Sequence, residues 1–141
     1  MINLQIIDNS NQIWSALSVT EYNVLLYGDE VQALNAVEKN QAELLLLNYS
    51  LRKEETVDYI KLILNIRPDS KIVVIADMLD EKEIVNCLLA GAKGYQEIRQ
   101  LEVYASKLIQ VIVAGEAWIT RHMVAVLLDS LIKHNTVVED K

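Results

Sequence analysis

The sequence contains no phenylalanine, one proline, one cysteine and four glycines among its 141 residues. Without phenylalanine, a core must be built from leucine, isoleucine and valine, with some tyrosine and tryptophan. Few glycines and prolines, together with 52% hydrophobic residues, favour a compact, regular domain and argue against disorder. The single cysteine, Cys87, excludes an internal disulfide. It lies among apolar residues of a predicted helix, where we expect a buried structural thiol and not a reactive one.

Signals for export or membrane insertion are also missing. The N-terminal stretch "MINLQIID" has no basic region followed by a long apolar run, so it predicts no secretory signal. No apolar stretch approaches the roughly 18 residues that a transmembrane helix needs. We therefore expect a cytoplasmic protein without membrane contact. The formal net charge of −7 disfavours direct binding of this domain to nucleic acid, because an acidic surface repels phosphates.

Motifs for nucleotide and metal chemistry are absent from the sequence. It contains neither GxGxxG nor GxxxxGK[ST], which argues against those kinds of nucleotide binding. The two histidines, His122 and His134, form no metal-ligand cluster with Cys87. We expect both histidines on the surface of the last helix, and we expect no metal, no cofactor and no enzymatic activity.

Two hydrophobic periods alternate along the chain. Short apolar runs predict strands at 3–7, 22–27, 42–47, 71–76 and 93–96. Helical spacing predicts helices at 11–17, 29–39, 55–66, 80–90, 101–114 and 120–134, with Asp29 as one N-cap and Gly91 as one C-cap. This alternation predicts an α/β fold with an open, doubly wound, five-stranded parallel sheet, because a closed eight-stranded barrel needs a longer chain.

Polar residues follow several predicted strands, where open parallel sheets place their functional cleft. Asp8 and Asn9 follow the first strand, and the run "AELLLLNYSL" reaches a single amide, Asn48. The fourth strand ends at Ala76, and 96–98 follows the fifth. We therefore expect a functional site, if the chain has one in its sheet, at these strand ends.

Two phrases carry a resemblance to a known family. With the order of elements, "AGAKGY" (90–95) and "VIVAGEAWI" (111–119) resemble a response-regulator receiver domain, of the subfamily that precedes a LuxR-type helix-turn-helix. The resemblance covers residues 3–135. It implies a CheY-like, flavodoxin-type sheet of order 2-1-3-4-5 with an extra C-terminal helix. We accordingly divide the chain into a receiver-like domain (1–116), a connector helix (117–135) and a disordered tail (136–141).

The family's phosphorylation site is degenerate in this chain. Receivers hold magnesium with two acids after the first strand, accept a phosphoryl group on an aspartate after the third, and bind its oxygens with a hydroxyl and a lysine. The resemblance places these roles on Asp8 with Asn9, on Asn48, on Ala76 and on Ile98. Only Asp8 keeps the required chemistry, so the resemblance implies a pseudo-receiver that is not phosphorylated.

Alternatives stay open for individual residues. Asn48 is either a permanent mimic of one switch state or, as we prefer, an amide that bonds the neighbouring loops. Asp8 is either a residual metal ligand or, preferably, a helix or loop cap. Tyr95 occupies the position of the family's switch aromatic, but without a hydroxyl at Ala76 we expect it to be fixed. Asp77 and Glu97 are substitute acids or, preferably, solvated loop charges.

The functional hypothesis is a phosphorylation-independent, receiver-like regulatory domain of a two-component-type transcription regulator. It would act through protein association, as a homodimer or with a partner protein, and reach DNA only through a helix-turn-helix absent from these residues. Candidate dimer residues lie on the fifth long helix: Val103, Tyr104, Leu108 and Val111. The alternatives are a conventional phosphoacceptor using another carboxylate, a small-ligand sensor using the degenerate pocket, and, least favoured, a flavodoxin-type enzyme.

Overall fold

The computed structural model describes residues 2–17, 21–40 and 42–139, with the backbone alone for 134–139. Its strands are β1 (Ile2–Ile7), β2 (Tyr22–Tyr27), β3 (Leu44–Asn48), β4 (Ile72–Ala76) and β5 (Gly94–Glu97). Its α-helices are α1 (Gln12–Ala16), α2 (Glu30–Lys39), α3 (Thr56–Ile66), α4 (Glu81–Ala90), α5 (Leu101–Val113) and α6 (Arg121–Glu139). Single 3₁₀ turns cover Tyr49–Leu51, Lys53–Glu55 and Ile98–Gln100. None of these helices is both long enough and apolar enough to cross a bilayer.

The five strands form one parallel sheet in the order β2-β1-β3-β4-β5. The predicted fold class and strand order are therefore confirmed. Parallel pairing places the carboxyl ends of all strands along one border of the sheet. The ends of β1 and β3, which carry the polar residues singled out above, are adjacent because these two strands pair directly.

Alternate residues of the central strands fill two cores, one on each face of the sheet. Leu45 and Leu47 of β3 belong to the first cluster, with α2, α3, α4 and Met123 of α6. Leu44 and Leu46 belong to the second cluster, with α1 and α5. Burial on both faces explains why β3 is an unbroken run of leucines and not an alternating pattern.

Helix boundaries follow their capping residues. The Asp29 carboxylate accepts the backbone N–H groups of Val31 and Gln32 at the start of α2, as the sequence predicts. Gly91 ends α4 in the left-handed conformation with φ 120°, which confirms its predicted role as the C-cap. A Cβ atom on Gly91 would meet only the end of the Leu64 side chain, which can move, so it is the left-handed backbone that favours glycine there.

The segment before α6 extends the sheet beyond β5. Trp118 forms a parallel bridge with Gly94: its N–H donates to the Lys93 carbonyl at 2.9 Å, and its carbonyl accepts the Tyr95 N–H at 3.2 Å. A Cβ atom on Gly94 would lie 2.5 Å from the Trp118 carbonyl oxygen. This close approach explains why the position is glycine, and it covers the outer edge of β5.

Helix α6 docks on this domain through one face. Met123 is buried in the first core cluster, Val126 and Leu127 pack against it, and His122 Nε2 lies 2.7 Å from Glu81 Oε2 of α4. His122 is exposed, as predicted, whereas the side chain of His134 lies outside the described residues. The helix continues to Glu139, beyond the predicted bound at 135, because no glycine or proline interrupts this part of the sequence. Residues 140 and 141 of the predicted tail lie outside the described residues.

Candidate functional site

Asn48 and Asp8 form a direct side-chain pair at the ends of β3 and β1. Asn48 Nδ2 donates a hydrogen bond to Asp8 Oδ1 at 2.9 Å. The two residues are only 4% and 2% exposed, so the bond lies in a desolvated setting where polar groups must find partners. The pairing of β1 with β3 brings together these two predicted site residues, which are forty positions apart in the sequence.

Asp8 is also the cap of the loop that leads into α1. Its Oδ1 accepts the Ser10 N–H at 3.0 Å and the Ser10 hydroxyl at 2.7 Å, and its Oδ2 accepts the Ile13 N–H at 3.2 Å. With the bond from Asn48, four donors converge on this carboxylate, three on Oδ1 and one on Oδ2. The predicted capping role of Asp8 is confirmed, and the protein itself stabilises this buried carboxylate.

Asn48 connects two loops with its two polar atoms. While Nδ2 donates to Asp8, Oδ1 accepts the Ser50 N–H at 2.9 Å, which starts the 3₁₀ turn after β3. An aspartate could not donate to Asp8 in its charged form, so the bonding pattern uses a property that only the amide has. The preferred interpretation, an amide that bonds the neighbouring loops, agrees with these contacts.

The residues around this pair do not fit a magnesium site. Asn9 is exposed, Asp8 is committed to protein donors, and Ala76 offers only a methyl group at the end of β4. Within the described ranges no group of three or more histidine, cysteine, aspartate or glutamate residues is placed to hold a metal ion. Magnesium requires several hard oxygen ligands in octahedral geometry, and this donor set does not supply them.

Ile98 and its neighbours complete the region where the family has a lysine. Ile98 is half-buried and packs against the second core cluster. The next residue, Arg99, pairs through Nε with Asp77 Oδ1 at 3.5 Å, with both side chains mostly exposed. Asp77 is therefore a solvated, paired charge, as the sequence predicts, and Arg99 supplies a cation beside the position where the family has its lysine.

Tyr95 lies on the α4 side of the sheet. Its ring is half-buried against the first core cluster and its hydroxyl oxygen is fully buried. Burial raises the pKa of Tyr95, because the charged phenolate would lose solvation. The buried hydroxyl is consistent with the expectation of a fixed aromatic.

The candidate dimer residues of α5 divide into two groups. Val103 is 76% exposed, Tyr104 is exposed and Val111 is partly buried. Leu108 is fully buried in the second core cluster, so its assignment to a dimer surface is wrong. Leu108 shares a helix face with other buried residues of α5, namely Leu101, Ala105 and Ile112, and its side chain supports the core.

A second concave region lies beside β5 and was missed from the sequence. A cavity of about 570 Å³ is bordered by the end of β5, by α5 and by the segment that precedes α6. Tyr104 and Trp118 stand at this cavity with ring centroids 6.2 Å apart. The phrase "VIVAGEAWI" lay within the recognised resemblance, but its pairing with β5 depends on a long-range register that no local pattern reveals.

Comparisons with known proteins agree with this architecture. No protein-family model matches the chain. Over 66 residues the chain is 30% identical to YhcZ of Bacillus subtilis (strain 168), described as an uncharacterized transcriptional regulatory protein. The match covers 47% of this chain and 31% of YhcZ, so it spans about a third of that relative's length.

Several solved structures are similar over most of the chain. The isolated REC domain of RcsB from Salmonella enterica serovar Typhimurium has a TM-score of 0.77 at 20% identity, covering 92% of this chain and 99% of that domain. A LuxR-family two-component response regulator from Aurantimonas has a TM-score of 0.75 at 12% identity, covering 92% and 97%. A response regulator from Thermotoga maritima has a TM-score of 0.66 at 23% identity, covering 78% and 98%. The chain therefore has the fold of the response-regulator receiver domains.

Proposed function

We propose that this chain is a receiver-like regulatory domain that works without phosphorylation and signals through protein association. The observation that carries the proposal is the hydrogen bond from Asn48 Nδ2 to Asp8 Oδ1 at 2.9 Å. At the position where the family forms its acyl-phosphate, this chain has a neutral amide bonded to a carboxylate that already accepts three other hydrogen bonds. We assign no catalytic step to the chain.

The chemistry of the site supports the first half of this proposal. An amide nitrogen is a poor nucleophile, so Asn48 cannot take the role of a phosphoryl-accepting carboxylate. Ala76 has no donor for a phosphoryl oxygen, and Ile98 has no charge to offset a dianion. Asp8 already accepts four hydrogen bonds, three on Oδ1 and one on Oδ2, so a cation at Oδ1 would have to displace one of these protein donors.

A role in transcription regulation is supported by the relatives. YhcZ is described as a transcriptional regulatory protein, and the similar structures include a LuxR-family two-component response regulator. We propose that this chain serves as the regulatory part of such a system in the cytoplasm. Its acidic charge of −7 favours protein partners over nucleic acid for this domain.

The outer face of α6 supports the association half of the proposal. Val124, Leu128 and Leu131 are exposed there at spacings of four and three, separate from the face that docks through Met123. These are the spacings of a coiled-coil seam, and in the sequence they continue at Asn135 and Val138. A seam of this kind is complementary to a second copy of itself, so we assign a parallel homodimer to α6.

The sequence also favours a defined register for this pair. In a heptad with Leu128 at position a and Leu131 at position d, Asn135 falls at the next a position. A single polar residue at an a position is typical of two-stranded parallel coiled coils, where it specifies register at a cost in stability.

Phosphorylation is tested by incubating the full chain with acetyl phosphate and magnesium and weighing the intact protein. We expect no species that carries an added phosphoryl group. A stable adduct on any carboxylate would overturn the proposal and favour the conventional phosphoacceptor.

Association is tested by light scattering on the purified chain over a concentration series. We expect a dimer that the substitution Leu131→Glu converts to a monomer with an unchanged urea midpoint at low concentration. Val31→Glu, on an exposed position of α2, is the matched control and should remain dimeric. A wild-type chain that stays monomeric at the highest concentration would refute the homodimer.

A further inference from the structure

The cavity beside β5 is separate from the degenerate phosphorylation site. It has a volume of about 570 Å³ and lies between β5, α5 and the segment 116–120. None of Asp8, Asn48, Ala76 and Ile98 lines it. A volume of this size is within the range of pockets that hold small molecules.

Aromatic side chains form one part of the lining. The rings of Tyr104 and Trp118 have centroids 6.2 Å apart and planes tilted by 53°. The indole Nε1 of Trp118 donates to Gln96 Oε1 at 2.9 Å, so the ring is held by its edge. The backbone bridge to Gly94 fixes the same residue from the other side. This arrangement gives the cavity pre-oriented ring faces, which attract cations through their quadrupoles.

Carboxylates form the second part of the lining. Glu97 and Glu116 both border the cavity, and no lysine, arginine or histidine is among its lining residues. Neither carboxylate belongs to an ion pair within the described part of the chain. The chain as a whole carries a net charge of −7, which raises the local concentration of cations. An anionic or neutral ligand would find no complementary charge here.

We propose that this cavity binds a small organic cation, a quaternary or protonated alkylamine. Its ammonium group lies against the rings of Tyr104 and Trp118, and Glu97 and Glu116 compensate its charge. Aromatic and carboxylate groups acting together are a known solution for ammonium recognition. Ligand binding in this cavity requires neither phosphorylation nor dimerisation.

The cavity also touches the start of α6. Thr120 is one of its lining residues, and the Thr120 hydroxyl accepts the Met123 N–H at 3.1 Å at the first turn of that helix. Met123 in turn is buried in the first core cluster. A ligand that binds more tightly when α6 is docked shifts the population of molecules toward the docked arrangement. This regulatory consequence, unlike the binding itself, rests on the proposed function.

Binding is tested with choline as the probe. The variant Trp14→Phe leaves Trp118 as the single indole of the chain, so choline should change the fluorescence saturably and move the Trp118 Nε1–H signal in a ¹H–¹⁵N spectrum. The neutral isostere 3,3-dimethyl-1-butanol should produce a much weaker response. Equal responses to the two compounds would refute cation recognition, and no saturable response to choline would refute the site.

Variants of the lining locate the binding residues. Glu116→Gln and Tyr104→Leu should each weaken choline binding about fivefold, as expected for loss of one exposed charge or cation–π contact. Glu38→Gln removes an exposed carboxylate on α2, away from the cavity, and should leave the affinity unchanged. Urea midpoints confirm folding of every variant. Unchanged affinity in both lining variants would contradict the proposal, whereas the phosphodonor and light-scattering results test the proposed function separately.

Discussion

Tyr49 Oη donates a hydrogen bond to Glu83 Oε2 at 2.8 Å, which joins the turn after β3 to α4. Burial and the neighbouring Glu83 carboxylate raise the pKa of Tyr49, so the phenol stays protonated and remains a donor. The bond ties the segment that follows Asn48 to α4, whose inner face lies in the first core cluster. It therefore holds the degenerate site and α4 in one fixed arrangement.

The strength of this link is measurable by a double-mutant cycle. Tyr49→Phe, Glu83→Ala and the double variant should give a coupling energy of about 1 kcal/mol, the typical net value of a hydrogen bond. Urea denaturation of the four proteins at pH 7 provides the free energies of unfolding. Additive effects of the two single changes would show that the bond contributes nothing in solution.

Asn48→Asp tests the neutral character of the degenerate site. The new carboxyl group would lie beside the Asp8 carboxylate, and two adjacent buried carboxylates raise the pKa of the pair. Stability is then retained at low pH, where the pair shares a proton, and lost as pH rises. We expect a loss of about 3 kcal/mol at pH 8 and a smaller loss at pH 5, measured by urea denaturation.

Two comparisons control the Asn48→Asp experiment. Asn9→Asp adds the same charge at an exposed neighbouring position and should change the free energy of unfolding by less than about 0.5 kcal/mol. Adding magnesium to the wild-type chain should leave its stability unchanged. A rise in wild-type stability with magnesium would show that Asp8 is available to a metal after all.

Gly94→Ala tests the pairing of Trp118 with β5. The added Cβ would meet the Trp118 carbonyl oxygen at 2.5 Å, so the segment before α6 must shift. We expect a loss of about 1–3 kcal/mol of stability, as for other overpacked sites, and a change in Trp118 fluorescence. Gly28→Ala is the matched control, because its nearest contact would be an ordinary 3.6 Å; similar losses in both variants would argue against the clash.

The pH dependence of stability should reveal the buried thiol. Burial raises the pKa of Cys87 from its ordinary value of 9.0 to about 12. The folded chain therefore keeps a proton that the unfolded chain releases, and stability falls as pH rises from 9 toward 12. One such group contributes a slope of about 1.4 kcal/mol per pH unit.

The contribution of Cys87 is isolated by comparing slopes. Urea denaturation of wild type and Cys87→Ala at pH 8, 9 and 10 should show a shallower decline for the variant, whatever its absolute stability. The tyrosines with raised pKa values, Tyr49 and Tyr59, contribute equally to both proteins at higher pH. Parallel declines between pH 9 and 10 would exclude the thiol as the cause.

Leu108→Ala and Val103→Ala separate the core of α5 from its surface. Leu108 is fully buried, so truncation should cost about 2–5 kcal/mol through lost burial and a cavity. Val103 is 76% exposed, and its truncation should cost less than about 0.5 kcal/mol. The free energies of unfolding are measured by urea denaturation. A comparable loss of stability in both variants would mean that Val103 is covered in solution.

The parts of the structure set by local pattern were predictable from the sequence. The alternation of apolar runs and helical stripes gave all five strands, and Asp29 and Gly91 marked helix ends through their chemistry. The capping role of Asp8 was also foreseeable, because a lone acid after a strand most often bonds nearby backbone. These features depend on neighbours within a few residues.

Other parts depended on three-dimensional packing. Apolar residues cover a wide arc of α5, and spacing alone did not tell that Leu108 faces the sheet while Val103 faces solvent. The bridge between Gly94 and Trp118 joins segments more than twenty residues apart, and the cavity beside it exists only once they pair. The bond between Asn48 and Asp8 likewise depends on β1 and β3 being neighbours in the sheet.

The two edge strands of the sheet, β5 and β2, differ in how their outer edges are covered. The backbone of Trp118 covers the outer edge of β5. The other edge strand is β2, and its Leu25 and Leu26 are 43% and 40% exposed. Among the described residues no strand pairs with the outer edge of β2, and a free edge beside apolar side chains is a template for strands of other molecules. During long storage or partial melting, we therefore expect intermolecular β-structure to nucleate at β2, so a lysine introduced at Leu25 should slow the formation of fibrillar or amorphous deposits.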